Sequence, residues 1–559
     1  MKKIAKFLIV LGMMGQLSSC DYLDIVPDER AQESDTWKTE GAVRGYLYSC
    51  YGYLPANRTF GNSYWLAEEL TAVTKELFTT FKYGYYSPVS LGFTSNTWST
   101  IWNGIHQCYM FQESLKQVSN EYVTDEMKKQ YLAESNFLIA YYHFLSMRSY
   151  GPTMIIRSVI DLETPISGFP ERSSIDEVVA FINEKLDEAM SEGGLPTTWS
   201  GKDYGRATRL AALALKSRVY LYAASPLYNG NTEMYADFRS PLDGRQLIAQ
   251  EKSQAKWEIS ATQTKYAIDE VEKAKFHLYH DADAGEPSDA KPGLPNKAQR
   301  RLRYTNIDNQ TGNNPEIIWA DTRNDDYYGI QRRCPPRQTL GGKFAGISMT
   351  NCPTLQTIEA FYTKNGLPIN KDKTFDYDER YEYINAPENC DGNNYEDLVK
   401  YANFTPSSDK VMRLCTDREP RFYAWTTYHN GYFEFGKYNN EEISADPAKR
   451  AIRIHLLRDD PHGRGNRTDQ EYSISGFGNK KGVVPSAEWN VIEYPFPLFR
   501  LAELYLNYAE ALVELDRLSE AKVYLDKVRE RAGIPSVDEA WDKYSTNPGY
   551  QNTQEGMRE

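Results

Sequence analysis

The sequence predicts an all-α-dominated protein, a superhelix of four helical hairpins carrying a large, irregular, loop-rich insertion. Three observations predict it. Apolar residues recur at steps of three and four in blocks near both ends of the chain. Between about residues 276 and 490 that periodicity dissolves into Gly, Asn, Pro, Asp and Tyr. At 559 residues, 41% of them hydrophobic, the chain exceeds what one core holds, and a repeat array buries its apolar surface layer by layer.

Taken in order, 35–54 pairs with 97–118 as the first hairpin. Segment 127–149 places Ala133, Phe137, Ala140, Tyr141, Phe144 and Leu145 on one face, stops at Gly151-Pro152 and pairs with 173–190. Segment 206–224 carries Ala207, Leu210, Ala211, Ala214, Leu221 and Tyr222 and ends before Pro226. Its small residues let a neighbour, 255–274, approach closely. Within the insertion, Glu316-Ile317-Ile318-Trp319 reads as a strand among long polar connections; its aromatic content argues against disorder. Near the end of the chain Leu498, Leu501, Ala502, Tyr505, Tyr508, Ala509 and Leu512 form another stripe. After a turn at 514–518, Ser519 caps a helix bearing Ala521, Tyr524, Leu525 and Val528, and Gly533 supplies a left-handed C-terminal residue before Pro535. Helix, short turn and helix with small and aromatic residues on facing stripes is a tetratricopeptide-like hairpin. The layout is a leader at 1–19, an N-terminal helical region at 20–275, the insertion at 276–490 and a C-terminal helical pair at 491–559.

The leader sets the compartment. Lys2, Lys3 and Lys6 precede a short apolar run, Phe7 to Gly15, too short to span a bilayer. Leu17-Ser18-Ser19-Cys20 has the form of a bacterial lipobox, which makes Cys20 the lipidated N-terminus of an exported protein. Several acyl chains there anchor firmly, at about 0.8 kcal/mol per buried methylene. The formal charge is −13, and loss of three lysines with the leader makes it −16. So acidic a chain excludes nucleic acid as a partner. The other cysteines, at 50, 108, 334, 352, 390 and 415, form no C-x-x-C pair and read as mostly unpaired, buried thiols.

Catalytic and metal constellations fail inspection. Asp281-Ala282-Asp283-Ala284-Gly285 opens like a calcium loop, but Glu286 stands where Gly is required and Pro292 where a bidentate Glu is required. His277 and His280 lie one turn apart without a third ligand and read as a surface pair. Gly476-Phe477-Gly478 lacks the setting of a dinucleotide loop, and no nucleophile elbow or Walker loop occurs. The reading is a protein without catalytic residues, metal or cofactor.

Several stretches resemble the SusD/RagB family of nutrient-uptake outer-membrane lipoproteins. They are Cys20-Asp21-Tyr22-Leu23-Asp24-Ile25-Val26-Pro27; Thr36-Trp37-Lys38-Thr39-Glu40-Gly41-Ala42 leading to Gly45-Tyr46-Leu47-Tyr48; and Ala133-Glu134-Ser135-Asn136-Phe137-Leu138-Ile139-Ala140-Tyr141-Tyr142-His143-Phe144 with Tyr150-Gly151-Pro152. Gly205-Arg206-Ala207-Thr208, Leu221 to Gly230, Glu359-Ala360-Phe361-Tyr362 with Asn365-Gly366, Arg418-Glu419-Pro420-Arg421-Phe422-Tyr423, Arg500 to Ala511 and Val528 to Pro535 continue the likeness almost end to end. The resemblance implies four tetratricopeptide-like pairs with a ligand-binding insertion, and a lipid-anchored protein of the outer membrane. It also implies that the protein captures glycans or oligosaccharides for a SusC-like TonB-dependent transporter. Asp21 after the Cys would mark inner-membrane retention under enteric sorting rules; the resemblance places the protein in the outer membrane. The family continues past Gly556-Met557-Arg558-Glu559 into a further helix, so the resemblance implies a shortened C-terminal end.

A sugar ring offers an apolar face and a rim of hydroxyls, suited to Trp and Tyr platforms edged by Asn, Asp and Arg. One stacked ring hides on the order of 50 Å², worth roughly 1 kcal/mol, whereas a millimolar Kd needs about 4 kcal/mol, so several rings are required. With 42 Tyr in the chain, two clusters are chosen. The first is Tyr83, Tyr85, Tyr86 and Trp98; the second is Tyr327 and Tyr328 with Asn324, Asp325 and Arg332. Trp102, Trp319 and the helical Tyr residues are assigned to the core. Two alternatives stand beside glycan binding: the same fold binding peptides or glycoprotein fragments, and a surface glycoside hydrolase drawing on the chain's 77 Asp and Glu. The charge speaks against anionic glycans unless Arg332, Arg333 and Arg337 cluster locally.

Overall fold

Polar caps start the helices close to where the apolar stripes begin. Thr39 accepts from the Ala42 N–H at 3.1 Å and opens α1, Glu40–Tyr51; α2 spans Thr94–Leu115. Thr124 caps α3, Asp125–Tyr150, whose first turn holds Asp125 and Glu126, and Gly151 ends it at φ +70° by returning its N–H to Met147 O. A reciprocal box of Ser174 and Glu177 opens α4, Ile175–Ala189. Then come α5, Arg209–Ala224, and α6, Gln254–Lys273. In this computed structural model α1 packs on α2, α3 on α4 and α5 on α6. The residues described are 37–56, 68–72, 94–161, 163–288, 291, 296–308, 314–323, 329–336, 338–340, 343–345, 349–385, 410–434, 451–460, 462–465, 472–485 and 491–559.

Helix α5 begins later than its apolar stripe suggests. Thr208 takes extended backbone (φ −128°) and accepts from Ala211 N–H at 3.0 Å, so Arg206 and Ala207 belong to the preceding loop. Ala207 is nevertheless buried, which is why its sequence spacing looks helical. Ala211, Ala212 and Ala214 of α5 are buried, as are Trp257, Ala261 and Ile268 of α6, and the two helices pack on each other.

The insertion is built from short pieces. They include α7, Lys297–Tyr304; β1, Ile317–Asp321; β2, Tyr383–Asn385, paired with β3, Lys410–Met412; and α8, Pro420–Trp425. β4, Tyr432–Glu434, pairs antiparallel with β5, Ala451–Arg453. Ile358, Ile369, Val411, Leu414, Phe422 and Phe477 give this region a core of its own. Its recurrent arginine is a tie: Arg418 donates to the carbonyls of Leu414, Ile358 and Phe361 at 2.7, 2.8 and 2.6 Å.

The last strand, β6, Phe496–Arg500, pairs antiparallel with β1, register Phe496↔Asp321 and Arg500↔Ile317. This ribbon drives Trp319 into the helical layer, edge-on to Phe137 (5.0 Å) and Tyr141 (5.1 Å) and stacked on Phe499 (5.8 Å). The pairing claims Leu498 as a strand residue, so the C-terminal stripe starts a helix only at Leu501. There α9, Leu501–Glu514, folds back on α10, Leu518–Ala532, as the fourth hairpin. Ser519 lies inside α10: Arg517 occupies the cap position without a side-chain cap bond and pairs with Glu520 instead. Gly533 is left-handed (φ +76°) and closes the helix onto Arg529 O and Glu530 O. A short helix, α11, Val537–Tyr544, packs beyond it.

One continuous core runs from Val43 through α3, α5 and α6 to Ala521. At its centre Ser217 of α5 shares a hydrogen bond with Thr264 of α6 (2.8 Å) and accepts from Asn507 of α9 (3.2 Å). Cys50, Cys108, Cys334 and Cys352 are buried free thiols and Cys415 is buried as well; Cys390 lies outside the described residues. Among the described residues no helix is long and apolar enough to cross a membrane.

Candidate functional site

The loop between α4 and α5 forms the wall of a double cleft. Gly205 sits at φ +100°, and a Cβ there would come within 2.7 Å of Thr322 Oγ1, so only glycine lets the loop pass this close to the end of β1. Trp319 Nε1 donates to Gly205 O and Trp199 Nε1 to Ala207 O, both at 2.9 Å, pinning the loop from two sides. Between them Arg206 lies 4.1 Å from the Trp199 ring centroid.

Beneath the loop is a buried ionic node. Arg206 donates to Glu134 of α3 through Nε (3.1 Å) and Nη2 (2.5 Å), and through Nη1 to Asp203 (2.8 Å). Tyr51 of α1 donates to Glu134 at 2.7 Å and accepts from Ala207 N–H at 2.9 Å. Burial raises the Glu134 carboxyl above its ordinary value against the opposing pull of Arg206 and Tyr51. Three donors meet its two oxygens, and Arg206 is held firmly protonated. The node ties α1 and α3 to the loop that follows α4.

On one side of the loop a cleft of about 280 Å³ opens between Tyr48, Tyr204, Lys202, Thr322 and Arg323. On the other a cleft of about 370 Å³ runs between Trp199, Ser200, Phe276 and Asn314. Tyr204, Gly205, Arg206 and Ala320 face both. Tyr48 is 41% exposed, and burial pushes the Tyr204 phenol up to about 12, so both rings enter chemistry as neutral platforms. The carboxylates at the cleft are committed: Asp203 to Arg206, and Asp321 to Arg323 at 2.7 Å. Arg323 also donates to Leu54 O (2.8 Å) and Pro55 O (3.0 Å), fixing the lip of the cleft.

Of the residues chosen from sequence, Cys20, Tyr83, Tyr85, Tyr86, Asn324, Asp325, Tyr327 and Tyr328 lie outside the described residues. Trp98 is half-buried near the start of α2, edge-on to Tyr150 at 4.8 Å and to Trp102 at 5.3 Å. It stands six residues before Gly104, which packs against Tyr53 and Tyr142, so Trp98 lies ~9 Å further along the helix axis. Arg332 is half-buried on a single helical turn, Ile330–Arg333. Neither residue lines either cleft. Sequence reasoning missed Tyr48, Lys202, Tyr204 and Arg323. The available signal was Gly205 beside Arg206, a glycine whose purpose shows only against β1.

A family model described as the SusD family matches residues 315–559, and one described as starch-binding associating with outer membrane matches residues 21–221. No curated protein matches. Among solved structures, BT4246 superposes with a TM-score of 0.74 at 28% identity, over 93% of this chain and 86% of that one. A SusD-like carbohydrate binding protein (BF0978) from Bacteroides fragilis NCTC 9343 gives 0.58 at 17% identity, over 94% and 83%. A laminarin-binding SusD-like protein gives 0.50 at 16% identity, over 89% and 85%.

Proposed function

The chain belongs to the SusD family, and on that premise we propose that it is a non-catalytic receptor that captures oligosaccharides at the cell surface for a SusC-like TonB-dependent transporter. The family is one of carbohydrate-binding, outer-membrane-associated proteins. The observation that carries the reading for this chain is the cleft at Tyr48 and Tyr204, neutral aromatic faces with Lys202 and Thr322 on the rim. Such a site suits the two sides of a sugar ring. Its neighbouring carboxylates are paired with arginines, which favours binding over acid–base chemistry.

In this proposal Cys20 carries the lipid anchor, and the segments bearing Tyr83, Tyr85, Tyr86, Asn324, Asp325, Tyr327 and Tyr328 extend the site together with Trp98 and Arg332. One described residue borders such a segment at the cleft itself: Arg323, which precedes 324–328 and donates to Pro55 O.

Affinity electrophoresis of the purified protein against plant, host and microbial polysaccharides, laminarin among them, tests the reading. Retardation by a neutral glycan that weakens in Tyr48→Ala is expected. A folded protein retarded by none of them, yet retaining peptides, would replace the ligand class.

A further inference from the structure

Three of the chain's seven histidines meet in the insertion, far from the cleft in sequence. The β4–β5 ladder continues past its strands: Asn430, left-handed at φ +66°, donates to Ile454 O at 2.7 Å, and Ile454 N–H to Gly431 O at 2.8 Å. This brings His429 opposite the start of His455-Leu456-Leu457-Arg458-Asp459-Asp460-Pro461-His462. Within it the Asp460 N–H meets Leu457 O (3.0 Å), and the His462 N–H returns to His455 O (3.1 Å). Gly463 approaches Leu457 O so closely that no side chain fits there.

The result sets two acceptor atoms face to face in the interior. His429 Nδ1 takes the Leu456 N–H at 3.1 Å, and Asp460 Oδ2 takes the Leu457 N–H at 3.0 Å, yet the two atoms stand 3.5 Å apart. An imidazole nitrogen has one lone pair, so an ion bound at Nδ1 takes the place of the Leu456 N–H. Two ligands bonded at ~2.0–2.1 Å to one tetrahedral ion are separated by about 3.4 Å. His429 is only 7% exposed, and its other ring nitrogen, Nε2, has no hydrogen-bond partner among the described residues. His455 is fully buried beside them, and one ligand atom from each of the three residues lies within 4.8 Å of the others. Around a bound tetrahedral ion these separations would shorten to about 3.4 Å. His462 Nδ1 accepts the backbone N–H of His455 at 2.9 Å, which steadies the main chain beside the site.

We propose that His429, His455 and Asp460 form a binding site for a divalent transition metal of the zinc class, which clasps the β4–β5 hairpin to the loop that follows it. Two imidazoles and one carboxylate suit zinc, whereas calcium and magnesium require oxygen ligands throughout.

The test is titration of the chelator-treated, full-length protein with zinc(II) by calorimetry, with cobalt(II) as the spectroscopic probe. One equivalent should bind, with the intense visible bands of a four-coordinate cobalt site and a raised melting temperature. His429→Ala and the isosteric Asp460→Asn should each weaken binding at least tenfold. The double variant His277→Ala/His280→Ala, which removes the exposed histidine pair with ring centroids 5.7 Å apart, should leave it unchanged. Circular dichroism confirms that each variant is folded. Absence of stoichiometric uptake, or uptake that follows His277 and His280, would overturn the proposal.

Discussion

Changing Arg206 to Met removes the cation from the node under the cleft while keeping an apolar stem against Trp199. Glu134 then keeps only the Tyr51 hydroxyl, in a fully buried position. Breaking a buried pair from one side costs about 3–5 kcal/mol, because the remaining charge is stranded. The structure also dictates a pH signature. Burial already raises the Glu134 carboxyl, and without Arg206 it rises further, each unit contributing about 1.4 kcal/mol. An acid whose folded-state value is raised destabilises the fold above that value, and the deficit shrinks as pH falls and the carboxyl takes a proton. Urea unfolding at pH 8 and pH 5.5 should therefore show a smaller loss for Arg206→Met at the lower pH. Arg206→Met/Glu134→Leu, with no stranded charge, should recover at least ~2 kcal/mol of the loss at pH 8. Losses that merely add, or a deficit indifferent to pH, would refute the view that this node is a desolvated ion pair.

Tyr48 offers about 50 Å² of ring face at 41% exposure, so Tyr48→Ala should raise the Kd for a retained glycan about fivefold with an unchanged melting temperature. Unaltered affinity in both Tyr48→Ala and Trp98→Ala would remove the glycan from this end of the fold. His143 is buried and neutral, its Nδ1–H donating to Ile139 O at 2.7 Å and its Nε2 accepting Ile156 N–H at 3.3 Å, and burial lowers it from 6.5 to about 4. The unfolded chain binds that proton more tightly, so stability present above pH 6.5 is lost as pH falls toward 4, by ~2 kcal/mol at pH 5, and His143→Gln should flatten the slope in urea titrations. Gly366 lies at φ +73° with its Cβ position 2.4 Å from Arg529 Nη2, so Gly366→Ala should cost ~1–3 kcal/mol in the same assay.

The hairpins were legible because their signals are local: a cap, a stripe and a stop fall within one helix length, as with Thr124, Phe137 and Gly151 around α3. Where a local signal competed with a distant one, the sequence misled. Leu498 has helical spacing from Leu501 but lies inside β6, which pairs with β1 nearly two hundred residues upstream. Ala207 continues a helical stripe but is buried in a loop fixed by Tyr51 and Trp199. The candidate sites were less legible for the same reason. Tyr48 and Tyr204 differ from the other tyrosines only in which cleft they face. His429 and His455 are ligand-like only once a β-ladder sets them side by side, whereas His277 and His280, three apart in sequence, stack with Asp283 Oδ1 3.4 Å from His277 Nε2 but do not close into a three-ligand group among the described residues.

The buried charges follow a pattern that bears on how such a scaffold presents a variable surface. Glu134 meets Arg206 where the loop enters α5. Glu316, at the foot of β1, meets Arg500 (2.7 Å) and Arg531 (2.5 Å) where β6 enters α9. Glu434 of β4 meets Arg303 of α7 (3.2 Å) and Lys480 (3.0 Å) inside the insertion. Burial alone would raise Glu316 and Glu434, but the paired cations hold both below the usual carboxylate range. Hydrophobic residues could fill these positions at similar or greater stability, so stability alone does not account for them. An ion pair differs from an apolar contact in its intolerance of slippage: displaced by an ångström or two, it leaves a charge unsatisfied in the interior. Two of these nodes stand where irregular chain re-enters a helix, and the third locks the insertion's own hairpin. The bases of the loops are thereby held to one register, and the sequence between them is left free to follow the ligand.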